Sequence, residues 1–366
     1  MPRLFLFILV VLGGLGCDSS TTGTTPPPPP AGDEIVEGVN LTELFDDPTG
    51  AERSAVRSEW ASRDATLSSR YTFTLEASLT GSDGAELNVY AGRDAGSGDV
   101  LFYGLVRLPI RLPGDIALRP TVLVLPDGDG GASGQLLTDG SLPIGSSIRE
   151  DYVYAMLVYR GETLLVGDEA FTSTSQSSAY DFDADDALAF VDHVRGAELL
   201  ADPNRVGVIG VGRGGGVALL TASRNNLYNV VIDLAGPANF FSESFRSEAR
   251  SVLTRGVAGD FPALQSLADQ IVLPLRDSVI TTDEARLALL RRSPSHFVAP
   301  PPFLFVAHGN LDSTVPIDHS RSIGSIFGTE AALYLEVFEA DHQSLAANHD
   351  VISLTTSFLK EHLGDH

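Results

Sequence analysis

The chain has 366 residues, 43% of them hydrophobic and 20% charged, enough to bury the core of one large domain or two smaller ones. A formal net charge of −24 leaves no basic footprint for phosphates, so nucleic acid is excluded as a partner. With Cys17 as the only cysteine, no intramolecular disulfide can form and the fold must stand on its core.

At the N-terminus, Arg3 supplies a positive region and Leu4 to Leu12 form an unbroken apolar run, too short to span a membrane and suited to export. The small residues Gly13 to Gly16 then lead to Cys17. This arrangement resembles a bacterial lipoprotein signal, with Gly14 standing where that family carries leucine. The resemblance implies removal of residues 1–16, lipidation of Cys17 and a lipid-anchored place in the cell envelope. Ordinary secretion is the alternative. Residues 17–35 are rich in Ser and Thr and carry the run Pro26 to Pro30, a tether that is flexible at first and then stiffened by polyproline II. Residues 36–366 are expected to form one domain.

Residues 40–68 show weak helical spacing. From Tyr71 the apolar period becomes two: Tyr71 to Ala77 alternates, Gly81-Ser82-Asp83-Gly84 turns, and Ala85 to Tyr90 alternates again, so a hairpin is predicted. Leu101 to Ile110 supplies a third antiparallel strand. The regime then changes. Pro120 to Leu125 is a continuous apolar run, as expected of a strand covered on both faces. Similar runs recur at Val153 to Tyr159, Val206 to Ile209, Val230 to Leu234, Phe303 to Ala307 and Tyr334 to Phe338. Helical patterns at Asp183 to Arg195 and Ser344 to His362 lie between or after them. The fold class is α/β: a doubly wound, mostly parallel sheet with N-terminal antiparallel strands in 36–115 and a helical insertion over 237–300.

The most informative segment is Val206 to Gly216. A short strand runs into Gly210-Val211-Gly212-Arg213-Gly214 and then a small-residue helix, Val217 to Ala222. That is the strand–turn–helix setting of a G-x-S-x-G nucleophile elbow, but Gly212 stands at the nucleophile position. Glycine has no side-chain oxygen with which to form an acyl-enzyme. Two further segments belong with it: Ala299 to Pro316, containing His308-Gly309 and Asp312, and Phe338-Glu339-Ala340-Asp341-His342.

In that order, the three segments resemble the α/β-hydrolases, most closely the prolyl oligopeptidase and dienelactone hydrolase branches, over roughly residues 70–362. The resemblance implies that Asp312 orients the catalytic histidine, that His342 is the general base and that His308 is structural. It places one oxyanion-hole N–H at Arg213 and the other in the loop Pro126 to Gly131, at Gly128, with Gly210 and Gly214 forming the elbow turn. Relatives carry His-Gly at the start of that loop, whereas this chain has Asp127-Gly128. A carboxylate there opposes an oxyanion unless it points away.

Other readings carry less. Gly210 to Gly215 also satisfies G-x-G-x-x-G, with Asp233 as a ribose ligand, but it sits late in the sheet and leaves His342 unexplained, so no cofactor is expected. Asp181 to Asp186 lacks the glycine and glutamate of a calcium loop and reads as carboxylates at a helix N-terminus, so no metal is expected. The insertion reads either as a lid, with Phe240, Phe241, Phe245 and Phe261 lining an apolar site, or as helices packed over the sheet. Physics favours a tethered protein that has kept a pocket for a small ester, acyl or peptide ligand and lost serine-hydrolase catalysis. The alternative is a serine-type esterase or peptidase working on the same classes of compound.

Overall fold

The computed structural model describes residues 32–111, 113–297, 303–324 and 332–364. The signal segment, Cys17 and residues 18–31 of the tether lie outside the described residues, and Glu34–His366 form one compact unit. Among the described residues no helix is long and apolar enough to cross a membrane.

Helix α1 (Gly50–Ala65) is fixed at its start by a capping box, in which Thr49 Oγ1 accepts from Glu52 N and the Glu52 carboxylate accepts from Thr49 N. The alternating segments then form β1 (Tyr71–Thr80), β2 (Glu86–Asp94) and β3 (Val100–Arg107), paired antiparallel. The continuous apolar runs become β4 (Arg119–Leu125), β5 (Val153–Val158), β6 (Ala201–Val211), β7 (Val230–Leu234), β8 (Phe303–Gly309) and β9 (Ala332–Val337). All nine join one sheet in the order β9-β8-β7-β6-β4-β5-β3-β2-β1. It is parallel from β5 to β9, and β3 crosses over to pair antiparallel with β5.

Successive residues of a strand point to opposite faces, and β4 shows the consequence. Leu123 and Leu125 enter one apolar cluster with α2 (Asp181–Ala197) and α3 (Arg213–Arg224), whereas Val122 and Val124 enter a second. The second cluster holds Val351, Leu359 and Leu363 of the last helix, whose range is His349–Leu363. The predicted helix at 344–362 is therefore two pieces, a single turn at His342–Leu345 and this longer helix, which begins at the Asn348 cap.

The carboxylates read as lying at a helix N-terminus are at the start of α2. Asp181, Asp183, Asp185 and Asp186 are buried there and held by arginines. Asp181 meets Arg63 and Arg291, Asp185 meets Arg63, Arg70 and Arg224, and Asp186 meets Arg160. Among the described residues no group of His, Cys, Asp or Glu is arranged to hold a metal ion.

The insertion also resolves one open choice. Phe240, Phe241, Phe245 and Phe261 are buried in the same cluster as α2 and α3, with Phe240 and Phe245 rings 5.0 Å apart, so they serve as packing. A hairpin that the periodicity does not announce, Thr163–Val166 with Glu169–Thr172, pairs through its first strand with Ala132–Ser133. This small sheet pins the loop that follows β4.

Candidate active site

The elbow forms because each of its glycines is forced by proximity. A Cβ on Gly210 would stand 2.1 Å from Gly214 O, and one on Gly214 would stand 2.0 Å from Leu125 O, so α3 can pass this close to the sheet only without side chains. Gly212 adopts φ +50° and ψ −119° between β6 and α3. A side chain there would carry about 1–3 kcal/mol of backbone strain, which glycine avoids. The sharp turn of a nucleophile elbow is therefore present with no nucleophile on it.

The place of the missing side chain is taken. Asp127, from the loop after β4, directs its carboxylate into the site: a Cβ built on Gly212 would meet Asp127 Oδ1 at 1.8 Å. Arg213 N donates to Asp127 Oδ1 at 3.1 Å, and His342 Nε2 lies 3.0 Å from Asp127 Oδ2. On its other side His342 Nδ1 lies 2.6 Å from Asp312 Oδ2, while Asp312 Oδ1 accepts from Thr314 N and Val315 N. The resulting line is Asp127–His342–Asp312. His308 stands behind it, fully buried, with Nε2 2.7 Å from Val315 O and 3.4 Å from Asp312 Oδ2.

The structure thus brings together Gly212, Arg213, Asp312 and His342, with Gly128 beside them at φ +80° immediately after Asp127. His342 is on the helical turn capped by Asp341 rather than in a plain loop. Asp233 is fully buried and accepts from Gly236 N, packed where Cβ atoms on Gly215 or Gly236 would be; it is not placed to meet a ribose.

Four groups around the elbow carry no motif of their own. Asp127 stood out in the sequence only as an obstacle. The Arg213 side chain, considered only for its N–H, is buried and forms a hub: its guanidinium meets Asp183 (3.0 and 2.9 Å), Glu162 (2.8 Å) and Asp129 (3.0 Å) and lies 4.0 Å from the Tyr159 ring centroid. Burial pushes the Glu162 carboxyl up to about 7, against the pull of Arg213. No local motif signals Glu162 or Asp183, because their meeting with Arg213 is purely tertiary.

A cavity of about 410 Å³ adjoins the carboxylate, lined by Asp127, Pro126, Leu136, Leu142, Val211 and Ala346 among others. It is largely apolar. A second cavity of about 320 Å³ adjoins Arg213, bounded by Asp129, Glu162 and Gln270 among others.

The charge state follows from the geometry. Burial pulls the His342 imidazole down, but its hydrogen bonds and charge attraction to Asp127 and Asp312 win and hold it up at about 9. At neutral pH the line is carboxylate–imidazolium–carboxylate, with no lone pair on the histidine to act as a base. The groups facing this imidazolium are Asp127, Asp312 and, beyond Asp312, His308. A folded pKa above the unfolded value stabilises the fold below the unfolded pKa, and that contribution is lost as pH rises through the folded one. Stability should fall between pH 6.5 and about 9. The loss is at most about 3.5 kcal/mol at about 1.4 kcal/mol per unit. Buried Glu162 and Asp233, both pushed up to about 7, lose stability in the same direction through that value, so the comparison with Asp127→Asn isolates His342. Urea unfolding at pH 7 and 9 checks this. The parent should lose more stability than Asp127→Asn over that interval, and equal losses would contradict the assignment.

The sheet order, the elbow and the acid–histidine succession define an α/β-hydrolase fold. Residues 144–261 match the prolyl oligopeptidase family. Among solved structures, the chain is similar to acetyl xylan esterase 1 from Thermoanaerobacterium sp. JW/SL YS485, at 13% identity and a TM-score of 0.55 over 87% of this chain and 99% of that one. It is similar to an acetyl xylan esterase from Paenibacillus sp. R4, at 14% identity and a TM-score of 0.55 over 89% and 100%. A puromycin-hydrolyzing peptidase of Mycobacterium tuberculosis follows at 14% identity and a TM-score of 0.50, over 81% of this chain and 46% of that one. No curated protein matches the chain in sequence.

Proposed function

We propose that this protein is an α/β-hydrolase-fold ligand-binding protein that has lost serine-hydrolase catalysis and is held at the bacterial cell envelope by a lipid on Cys17. One observation carries the reading: the Asp127 carboxylate fills the space of the absent serine side chain while accepting from Arg213 N and pairing with His342. Acyl transfer needs a nucleophile on the elbow, a neutral imidazole to take its proton and a free N–H to receive the oxyanion. Here glycine removes the first, two carboxylates remove the second and Asp127 occupies the third. The retained cavity suits a small ester, acyl or peptide ligand, the classes handled by esterases and peptidases of this fold.

A serine-directed fluorophosphonate is expected to leave the protein unlabelled at concentrations that saturate an active serine esterase. Labelling of any serine in the unaltered chain, read by mass spectrometry of its peptides, would overturn the reading. The anchor is tested separately: metabolic labelling with a fatty acid should be lost in Cys17→Ala.

A further inference from the structure

The carboxylate that closes the serine route leaves the cavity beside it with negative charge and no cation on its walls. We propose that this cavity binds small primary ammonium ions with an apolar body, the Asp127 carboxylate taking the ammonium group and the apolar walls the hydrocarbon. The inference rests on the reading that the serine route is closed and that the cavity takes a small molecule. It narrows the ester, acyl and peptide classes to members that carry a free amine.

The sign of the charge comes first. Asp312 is sealed, its oxygens met by His342 Nδ1, Thr314 N and Val315 N, so its charge and that of the His342 imidazolium offset each other inside the protein. Asp127 is left over. Its side chain is one-third exposed and lines the cavity of about 410 Å³. Asp139 lines the same cavity. Its carboxyl is held below the usual range first by the Ser141 hydroxyl and least by Arg149, which stands outside the lining. No lysine, arginine or histidine is among the described residues that line this cavity. An anionic ligand would meet two carboxylates there and no partner of opposite charge.

The kind of polar group on offer comes second. Arg213 N, the donor that would receive a carbonyl oxygen at an elbow, is spent on Asp127 Oδ1 at 3.1 Å, so a neutral ester or amide finds no free N–H at the turn. What Asp127 presents is acceptors. A carboxylate has about four lone-pair positions. On Asp127 one is used by Arg213 N and one by His342 Nε2, at 3.0 Å. The others are left for an ammonium group, which carries only donors. Shape comes third. Val124, Leu136, Leu142, Ile209, Val211 and Ala346 give the cavity apolar walls, against which a hydrocarbon body can be buried while its charged end rests at Asp127. No bond is made or broken, and His342 takes part only through its charge.

Isothermal titration calorimetry of the full-length protein at pH 7 compares hexylammonium, hexanol and hexanoate, which share a chain and differ at the head group. Salt at about 0.15 M limits diffuse attraction to the acidic surface. Hexylammonium should bind about tenfold tighter than hexanol, the weight of one hydrogen bond to a charged group, and hexanoate should bind weakest. Asp127→Asn should bind hexylammonium and hexanol alike, its folding checked by thermal melting and by retained hexanol binding. Asp277→Asn removes an equal charge from an exposed residue off the cavity lining and should keep the preference. Hexanol bound by the parent as tightly as hexylammonium would overturn the proposal, as would no binding of any of the three. So would a preference that survives Asp127→Asn or disappears in Asp277→Asn. These readouts are independent of the fluorophosphonate assay: a serine label would sink the functional reading, whereas an unlabelled protein with no preference for the ammonium would sink only this inference.

Discussion

Gly212→Ser alone is expected to stay unlabelled by a fluorophosphonate and to unfold more readily than the parent, whereas Asp127→Ala with Gly212→Ser should gain the label. The single substitution places a Cβ 1.8 Å from Asp127 Oδ1. Asp127 can swing aside only by giving up its bonds to Arg213 N and His342, and hydrogen bonds to charged groups contribute about 1.5–3 kcal/mol. The side chain also takes on the strain of φ +50° at this turn, about 1–3 kcal/mol. In the double variant the space is open, Arg213 N is free for an oxyanion and His342 loses one of the two carboxylates that keep it protonated. Comparing label incorporation and urea midpoints across the parent and both variants checks this. A single variant that labels as fast as the double would show that Asp127 does not block the site. A double variant with no label would mean that more than the nucleophile has been lost.

The largest stability effect is expected at Arg213→Ala. The guanidinium is buried with Asp183, which is fully buried, and with Glu162, only slightly exposed. Removing one partner of a buried ion pair leaves an uncompensated charge and costs about 3–5 kcal/mol. Asp183 also accepts from Tyr180 N at the start of α2, so the loss should reach that helix as well as the elbow. Urea unfolding measures the loss, and adding Asp183→Asn should recover part of it because the stranded charge is gone. A loss below about 1 kcal/mol would place Arg213 among ordinary surface pairs.

The two kinds of variant separate two roles at one turn. Asp127 and Gly212 decide what chemistry the site can perform, and their changes should alter reactivity. Arg213 joins the elbow to α2 and to Glu162, and its change should alter stability first. The pH interval above 7 reports a third property, the proton held by His342 between Asp127 and Asp312.

The α/β architecture is legible in the chain alone, because continuous apolar runs such as Val122 to Leu125, bounded by turns and alternating with helical patterns, read as strands covered on both faces. So is the elbow, in Gly210-Val211-Gly212-Arg213-Gly214 between a short apolar strand and a small-residue helix. Local periodicity and local sterics carry that information. The same segment carries Gly212 where a serine is expected, and the family resemblance implies Asp312 and His342 as partners of that position. What fills the gap is set by contacts between distant parts of the chain. Asp127 and His342 are 215 residues apart in the chain, and no spacing rule says whether a carboxylate on the loop after β4 turns toward the imidazole or away. The pinning of that loop by the hairpin at Thr163–Thr172, and the partners it finds in Arg213 N and His342 Nε2, settle the direction. The same holds for the arginines around four aspartates of α2: the run reads as carboxylates at a helix N-terminus, and only the fold brings distant cations against it.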